Sequence, residues 1–189
     1  MKIWTRSLGA SLRMLAVATL VLGVAYPLFG LGVGLIFPHQ ANGSLITVGG
    51  EVVGSSLLGQ DFAGDKWFHG RPSASGYDGL ASGGSNLGPN NPDLVAAIKE
   101  RIATVAATEG VAPSAVPADA VTASSSGLDP HISPAYADLQ VARVAEQRGM
   151  SEQKVRELVA DATAGRPLGV LGEPTVNVVT LNVALAEGQ

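Results

Sequence analysis

Residues 14–37 read MLAVATLVLGVAYPLFGLGVGLIF, 24 consecutive positions without a charged side chain. As a helix rising ~1.5 Å per residue the stretch spans ~36 Å, enough for a ~30 Å hydrocarbon core, and so predicts one transmembrane helix. The run exceeds the ~7–15 residues of a secretory h-region, and Ala41-Asn42-Gly43 matches a cleavage site poorly, which favours an uncleaved anchor over a removed signal peptide. Lys2, Arg6 and Arg13 precede the span, whereas Pro38-His39-Gln40 and the next ten residues hold no Lys or Arg. The positive-inside rule then makes residues 1–13 a cytoplasmic tail, 14–37 the span and 38–189 an extracytoplasmic domain. Inside the helix, Tyr26-Pro27 is expected to interrupt the backbone ladder, and Gly30 and Gly34 lie one turn apart on one face. That face either lets a neighbouring helix approach closely or meets lipid. The mid-span proline weighs toward a packed partner, because a freed carbonyl is easier to satisfy inside a bundle.

The whole chain has 189 residues, 46% hydrophobic and 15% charged, with Gly 24 and Pro 11. It is too apolar for a disordered chain and too small for a large multidomain enzyme. Net charge is −4, and three of the 12 basic residues precede the span, so the exported part holds nine against all 16 acidic residues and carries −7. Such a surface lacks the basic footprint of a nucleic-acid binder. The absence of cysteine excludes disulfide frameworks, thiolate metal sites, cysteine nucleophiles and lipoprotein anchoring.

Beyond residue 37 the pattern predicts one α/β (α+β) domain. Leu45–Val48 and Glu51–Ser55 flank Gly49-Gly50, a hairpin signal. Residues 64–92, rich in Gly, Ser, Asn and Pro with Trp67, Phe68 and Tyr77 interspersed, form a long irregular loop pinned by aromatics. A helix starts with Asn91 as cap and Pro92 first, carries Leu94, Ile98, Ile102 and Val105 on one face, and stops near Gly110. Residues 112–120 read as a surface connection. Ser133 caps a helix whose stripe is Ala137, Val141 and Val144, ending at Gly149, and Ser151 caps another that runs to Gly165. Residues 176–186 are ambiguous in period, but Asn177 suits a helix cap with Val178, Leu181 and Leu185 inward.

Chemistry-bearing motifs are sparse. No Gly-Lys-Ser/Thr occurs, so the chain has no Walker-type phosphate loop. Residues 81–88, ASGGSNLG, are either a backbone-amide phosphate cradle or a run of turn glycines, with turns favoured. Ser124, Asp129 and His131 are neighbours in sequence, which is no evidence for a triad, since triads are assembled by folding. His39, His69 and His131 are scattered, without metal-ligand spacing. Arg71, in Phe68-His69-Gly70-Arg71-Pro72-Ser73, suits either a partner carboxylate or its own loop.

Taken in order, Gln40-Ala41-Asn42-Gly43-Ser44-Leu45-Ile46, Leu58-Gly59-Gln60-Asp61-Phe62, Trp67-Phe68-His69-Gly70-Arg71-Pro72-Ser73-Ala74, Ser82-Gly83-Gly84-Ser85-Asn86-Leu87, residues 121–129 (VTASSSGLD), Ile132-Ser133-Pro134, Arg143-Val144-Ala145 and residues 172–178 (GEPTVNV) resemble the C subunits of Kdp potassium-transporting P-type ATPases. The resemblance covers essentially the whole chain. It implies an accessory subunit of a bacterial plasma-membrane potassium pump, beside a potassium-pathway subunit and an ATP-hydrolysing subunit, with no catalytic residues of its own. It further implies a catalytic chaperone that raises the partner's ATP affinity, with Gln60 as the matching nucleotide-related glutamine and no tightly bound cofactor or metal. The topology places Gln60 outside and ATP inside, so any effect on ATP affinity would travel as a coupling free energy between separated sites. Expected partner contacts are Gly30 and Gly34 in the helix, and Trp67, Phe68, His69, Arg71, Gly83, Gly84, Ser85 and Asn86 in the loop. The rival readings are a membrane-anchored periplasmic hydrolase using Ser124 or Ser85, and a free-standing solute-binding or cell-envelope module.

Overall fold

The computed structural model describes residues 2–188. Met1 and Gln189, the outer ends of the expected tail and domain, lie outside the described residues, and of Lys2 and Ile3 only the backbone is described. The chain forms two units that divide between Ser44 and Leu45.

The first unit is a helical rod: α1 (Lys2–Leu20), a π-helical turn (Val21–Ala25), α2 (Tyr26–Ile36) and a short α3 (Pro38–Ala41). Residues 2–13, expected as a tail, are helical. Trp4–Ile36 is long and apolar enough to cross a membrane, with a mean hydropathy of 2.1 in its best window. Pro27 explains the π-turn. It brings no N–H, and its ring would strike the carbonyl four residues back; widening the preceding turn relieves the clash, and the Tyr26 N–H reaches Val21 O, five residues away. The predicted local break is therefore a bulge in a continuous rod. After Ile36 the chain turns back, so that a Cβ on Gly34 would lie 3.4 Å from Ala41 Cβ, whereas Gly30 faces open space.

In the second unit, β1 (Leu45–Val48) and β2 (Glu51–Ser55) pair antiparallel around Gly49-Gly50, whose φ values of 60° and 89° are those of a primed hairpin turn. Residues 56–91 contain no helix or strand, in accord with the expected long loop. The α4 helix (Pro92–Glu109) starts where Asn91 Oδ1 accepts from Asp93 N and ends at left-handed Gly110. Then come α5 (Pro134–Arg148) and α6 (Glu152–Asp161), capped by Ser133 and Ser151, and finally α7 (Val178–Glu187), capped by Asn177. Two helical turns occupy the 112–120 connection, and Ala120 is buried there.

Two features depart from the sequence reading. A small antiparallel sheet of order β3-β5-β4 (His131–Ile132, Thr175–Asn177, Thr163–Ala164) was not foreseen, because two- and three-residue strands leave no periodicity to read. It also shortens α6, which stops at Asp161 rather than Gly165 because Thr163 and Ala164 pair with β5. The core lies where α5, α6 and α7 meet this sheet, and it includes Ile132, Val141, Val144, Val155, Val176 and Leu181. Phe68, contributed by the long loop, is fully buried among them.

The start of α5 is doubly fixed. Ser133 Oγ accepts from Tyr136 N at 3.0 Å and donates to Asp119 Oδ1 at 2.9 Å, while Ser133 N donates to Asp119 Oδ2 at 2.6 Å. Replacing Ser133 with Ala removes a cap and strands part of Asp119, so the second unit should lose about 1–2 kcal/mol in urea unfolding of the full chain. An unchanged midpoint would show that the cap contributes nothing.

Candidate functional site

The loop segment 65–69 has no strand neighbour, yet each of its five carbonyls accepts a hydrogen bond from a side chain of α5 or α7. Arg143 Nη1 donates to Asp65 O at 2.5 Å and to Trp67 O at 2.9 Å. Arg148 Nε donates to Lys66 O at 2.7 Å and its guanidinium stacks 4.3 Å from the Trp67 ring centre. Asn182 receives Phe68 N on Oδ1 and donates from Nδ2 to Phe68 O, both at 2.9 Å. Gln140 does the same for His69, at 2.7 Å and 3.2 Å. The two amides stand in for the missing strand and leave buried peptide groups paired.

Arg143 is itself buried. Its Nε lies 3.0 Å from both carboxylate oxygens of Glu109 at the end of α4, the two side chains being 7% and 2% exposed, and its Nη2 donates to Gln140 Oε1 at 2.9 Å. One guanidinium thus joins α4, α5 and the loop.

Beyond this clamp the chain turns at Arg71. Its Nη1 meets Asp129 Oδ2 at 3.2 Å and its Nη2 donates to Thr122 O at 3.3 Å, while its buried Nε has no partner among the described residues. Tyr77 adopts a left-handed backbone, φ 59°, unusual for a bulky residue; its N–H donates to Ser73 Oγ and its hydroxyl to Arg71 O at 2.5 Å. Gly59 and Gly70 permit this approach, since a Cβ on either would come within 2.7 Å of the Tyr77 ring or hydroxyl. Burial, reinforced by the nearby Asp129 and Asp61 charges, pushes the Tyr77 hydroxyl up to about 12, so it remains a neutral donor.

Arg71, Ser73 and Tyr77 lie on the wall of a cleft of about 690 Å³ between the loop and α4. It gathers Gln60, His69 and Arg71 from the expected set, with Asp61, Arg101 and Tyr136. Gln60 Nε2 is held by Val53 O at 2.9 Å. Of the expected contact residues, Phe68 turns its ring into the core, and Trp67 is half-buried under Arg148. The 82–86 loop lies elsewhere, against the 124–127 turn: Gly83 N and Ser82 Oγ donate to Ser126 O, Gly84 packs on Ser125 O, and Ser85 and Asn86 are exposed. Gly30 and Gly34 belong to the rod.

The serine reading has a different outcome. Ser124 is buried, and its hydroxyl accepts from Gly127 N at 3.0 Å and contacts Ser126 Oγ at 3.1 Å, so it closes its own turn. His131 Nδ1 lies 3.5 Å from Asp129 Oδ1, and no hydrogen bond joins His131 to a serine among the described residues. No group of three His, Asp or Glu side chains suited to a metal occurs among the described residues.

Sequence reasoning missed Gln140, Asn182, Arg143 and Tyr136. A signal was present: Gln140 interrupts the Ala137-Val141-Val144 stripe, and Asn182 the Val178-Leu181-Leu185 stripe. A polar residue on an apolar face has a buried partner to find.

Replacing Asn182 with Ala leaves Phe68 N–H and C=O unpaired in the core. Urea unfolding should record a loss of about 2–4 kcal/mol, well above a surface substitution. His69 gives a pH signature. Burial first, then the Arg143 cation, lowers its pKa below 6.5, against the opposing Gly64 carbonyl, 3.2 Å from Nε2. The native state thus favours neutral imidazole, so this contribution is complete above pH 6.5 and is lost as pH falls through the lowered folded value. Melting temperature between pH 7 and 5 should fall further for the wild type than for His69→Gln; parallel curves would remove His69 as the cause.

The chain matches the family model of the K+-transporting ATPase c chain, KdpC, over residues 8–187. It is 56% identical over 182 residues to the potassium-transporting ATPase KdpC subunit of Kineococcus radiotolerans, covering 95% of this chain and 93% of that one. The KdpC subunit of Sorangium cellulosum is 56% identical over 181 residues, 93% and 94% of the two chains, and that of Koribacter versatilis 47% over 183 residues, 95% and 94%. With its apolar N-terminal helix and mixed helix and sheet domain, the chain belongs to the KdpC family, the c chains of K+-transporting ATPases.

Proposed function

We propose that the chain is the single-span accessory subunit of an ATP-driven potassium uptake pump in a bacterial plasma membrane, with its N-terminus cytoplasmic and its α/β domain outside. The observation that carries this reading is the charge distribution about the apolar rod. Arg6 and Arg13 lie on its N-terminal turns, whereas the first basic residue after it is Lys66. From Arg13 to Ile36 the rod runs about 35 Å, so the hydrocarbon core is filled by uncharged residues and the cations lie at the inner headgroups.

In this role the subunit holds the potassium-pathway and ATP-hydrolysing partners together, with the Gly30–Gly34 face against a neighbouring helix and the loop surfaces around Trp67, His69, Arg71 and 83–86 against their outer parts. The chain performs no hydrolysis and holds no nucleotide tightly. ATP acts through the hydrolysing partner, and the chaperone-like rise in its ATP affinity is a coupling carried through the membrane partners, with Gln60 on the outer side.

Two experiments test the reading. With no native cysteine, Ser85→Cys provides a single exposed thiol; a membrane-impermeant reagent should label it in intact cells, and protection until lysis would overturn the orientation. Gly30→Leu with Gly34→Leu should strip the subunit from co-purified pump subunits and lower potassium-dependent ATP hydrolysis. Full recovery and activity would overturn the helix-packing role.

A further inference from the structure

Among the large apolar side chains that the second unit leaves in solvent, three stand together in the segment between β4 and β5: Leu168, Val170 and Leu171 are 88%, 76% and 55% exposed. The segment is not slack. Gly169 N donates to Arg166 O at 2.9 Å and Leu171 N to Pro167 O at 3.0 Å, while the Arg166 and Glu173 side chains pair across its base at 2.5 Å. Leu168 takes a left-handed backbone, φ 54°, which a bulky side chain adopts only at a cost in free energy. Its side chain receives no burial in return. A strained, internally bonded turn that presents apolar tips to water is organised for a contact outside the chain.

We infer that residues 166–173 form a knob that seats Leu168 in an uncharged, apolar hollow on an outer segment of a pump subunit. Charge and area select this partner. The knob's one cation is already paired with Glu173, and residues 38–189 carry nine of the 12 basic side chains against all 16 acidic ones, so the electrostatic attraction that holds a surface loop on anionic lipid is missing. The loop also leaves the sheet at Ala164 and Thr175, whereas the other end of β5 is tied toward the junction with the rod: Asn177 Nδ2 donates to Ser56 O at 2.8 Å, and Ser55 pairs with Leu45, the first residue of the second unit. A second copy of this chain is excluded by size, since so short a segment falls far below the roughly 800 Å² that each partner of a stable dimer buries. Within an assembly already joined through the rod a small contact suffices, because the tether raises its effective concentration. The inference rests on the accessory-subunit reading and adds the segment and the chemistry of one contact.

The test uses Leu168→Asn in the full chain co-expressed with its partners, because asparagine accepts the left-handed backbone but removes the apolar tip. The isolated variant should melt no lower than the wild type. Its dissociation from the purified complex should be about tenfold faster, the scale of one apolar side chain losing its buried contact, and Leu168→Met should dissociate as the wild type does. Equal dissociation of Leu168→Asn and wild type would overturn the inference. A second measurement names the occupant: Val170→Cys, the only thiol in the chain, carries an environment-sensitive fluorophore whose emission should shift to the blue on assembly with the partners and stay water-like in the isolated subunit in nanodiscs. A blue shift in nanodiscs without partners would assign the knob to lipid, and one that grows with the concentration of isolated subunit would assign it to a second copy; either overturns the inference. Failure of even the wild-type chain to co-purify would instead overturn the accessory-subunit reading itself.

Discussion

Five successive peptide carbonyls, 65 to 69, are held by side chains rather than by another backbone, and the second unit is organised around that arrangement. A 36-residue irregular segment between β2 and α4 would ordinarily be mobile. Here its centre is anchored by Arg143, Arg148, Asn182 and Gln140, and the Phe68 ring enters the core between the helices that supply them. The loop is thus part of the packing, and the cleft beside it has a fixed wall at no cost in secondary structure. Its neighbours follow from that anchor: Arg71 ties the next turn to Asp129, and Tyr77 closes back on Arg71.

The central cation in this arrangement has to be arginine. Arg143 commits four N–H donors in three directions, to Glu109, two loop carbonyls and Gln140, a fork that the three donors of a lysine ammonium cannot reproduce. Both charges of the Arg143–Glu109 pair are withdrawn from water, so breaking the pair on one side is far more damaging than its net contribution would suggest. The pair links the end of α4, whose Ala97, Glu100, Arg101, Thr104 and Val105 line the cleft, to α5.

Much of the fold was legible because its helices carry their own punctuation. Asn91-Pro92, Ser133-Pro134, Ser151 and Asn177 all cap where local chemistry says they should, and Gly110 and Gly149 end helices in the left-handed conformation. The hairpin was equally plain in Gly49-Gly50. The three-stranded sheet was not, because strands of two and three residues exist only through pairing between distant segments. The site divides in the same way. Gln60, His69 and Arg71 were named from composition and resemblance and do share a cleft, but the partners that hold the loop lie 71 to 114 residues away, on helices whose apolar pattern hid them. Phe68 illustrates the limit: an aromatic in a glycine-rich loop looks like a contact residue until its burial is known.

The π-turn at Val21–Ala25 changes the geometry of everything that follows it in the rod. One additional residue in a helical turn rotates the downstream face by about 100° relative to uninterrupted numbering. Gly23 and Gly30, seven apart, would nearly eclipse in a regular helix and instead look in different directions. A neighbour aligned with Gly30 and Gly34 therefore parts from the upstream surface at the bulge, and the two halves of the rod address different flanks of whatever surrounds them.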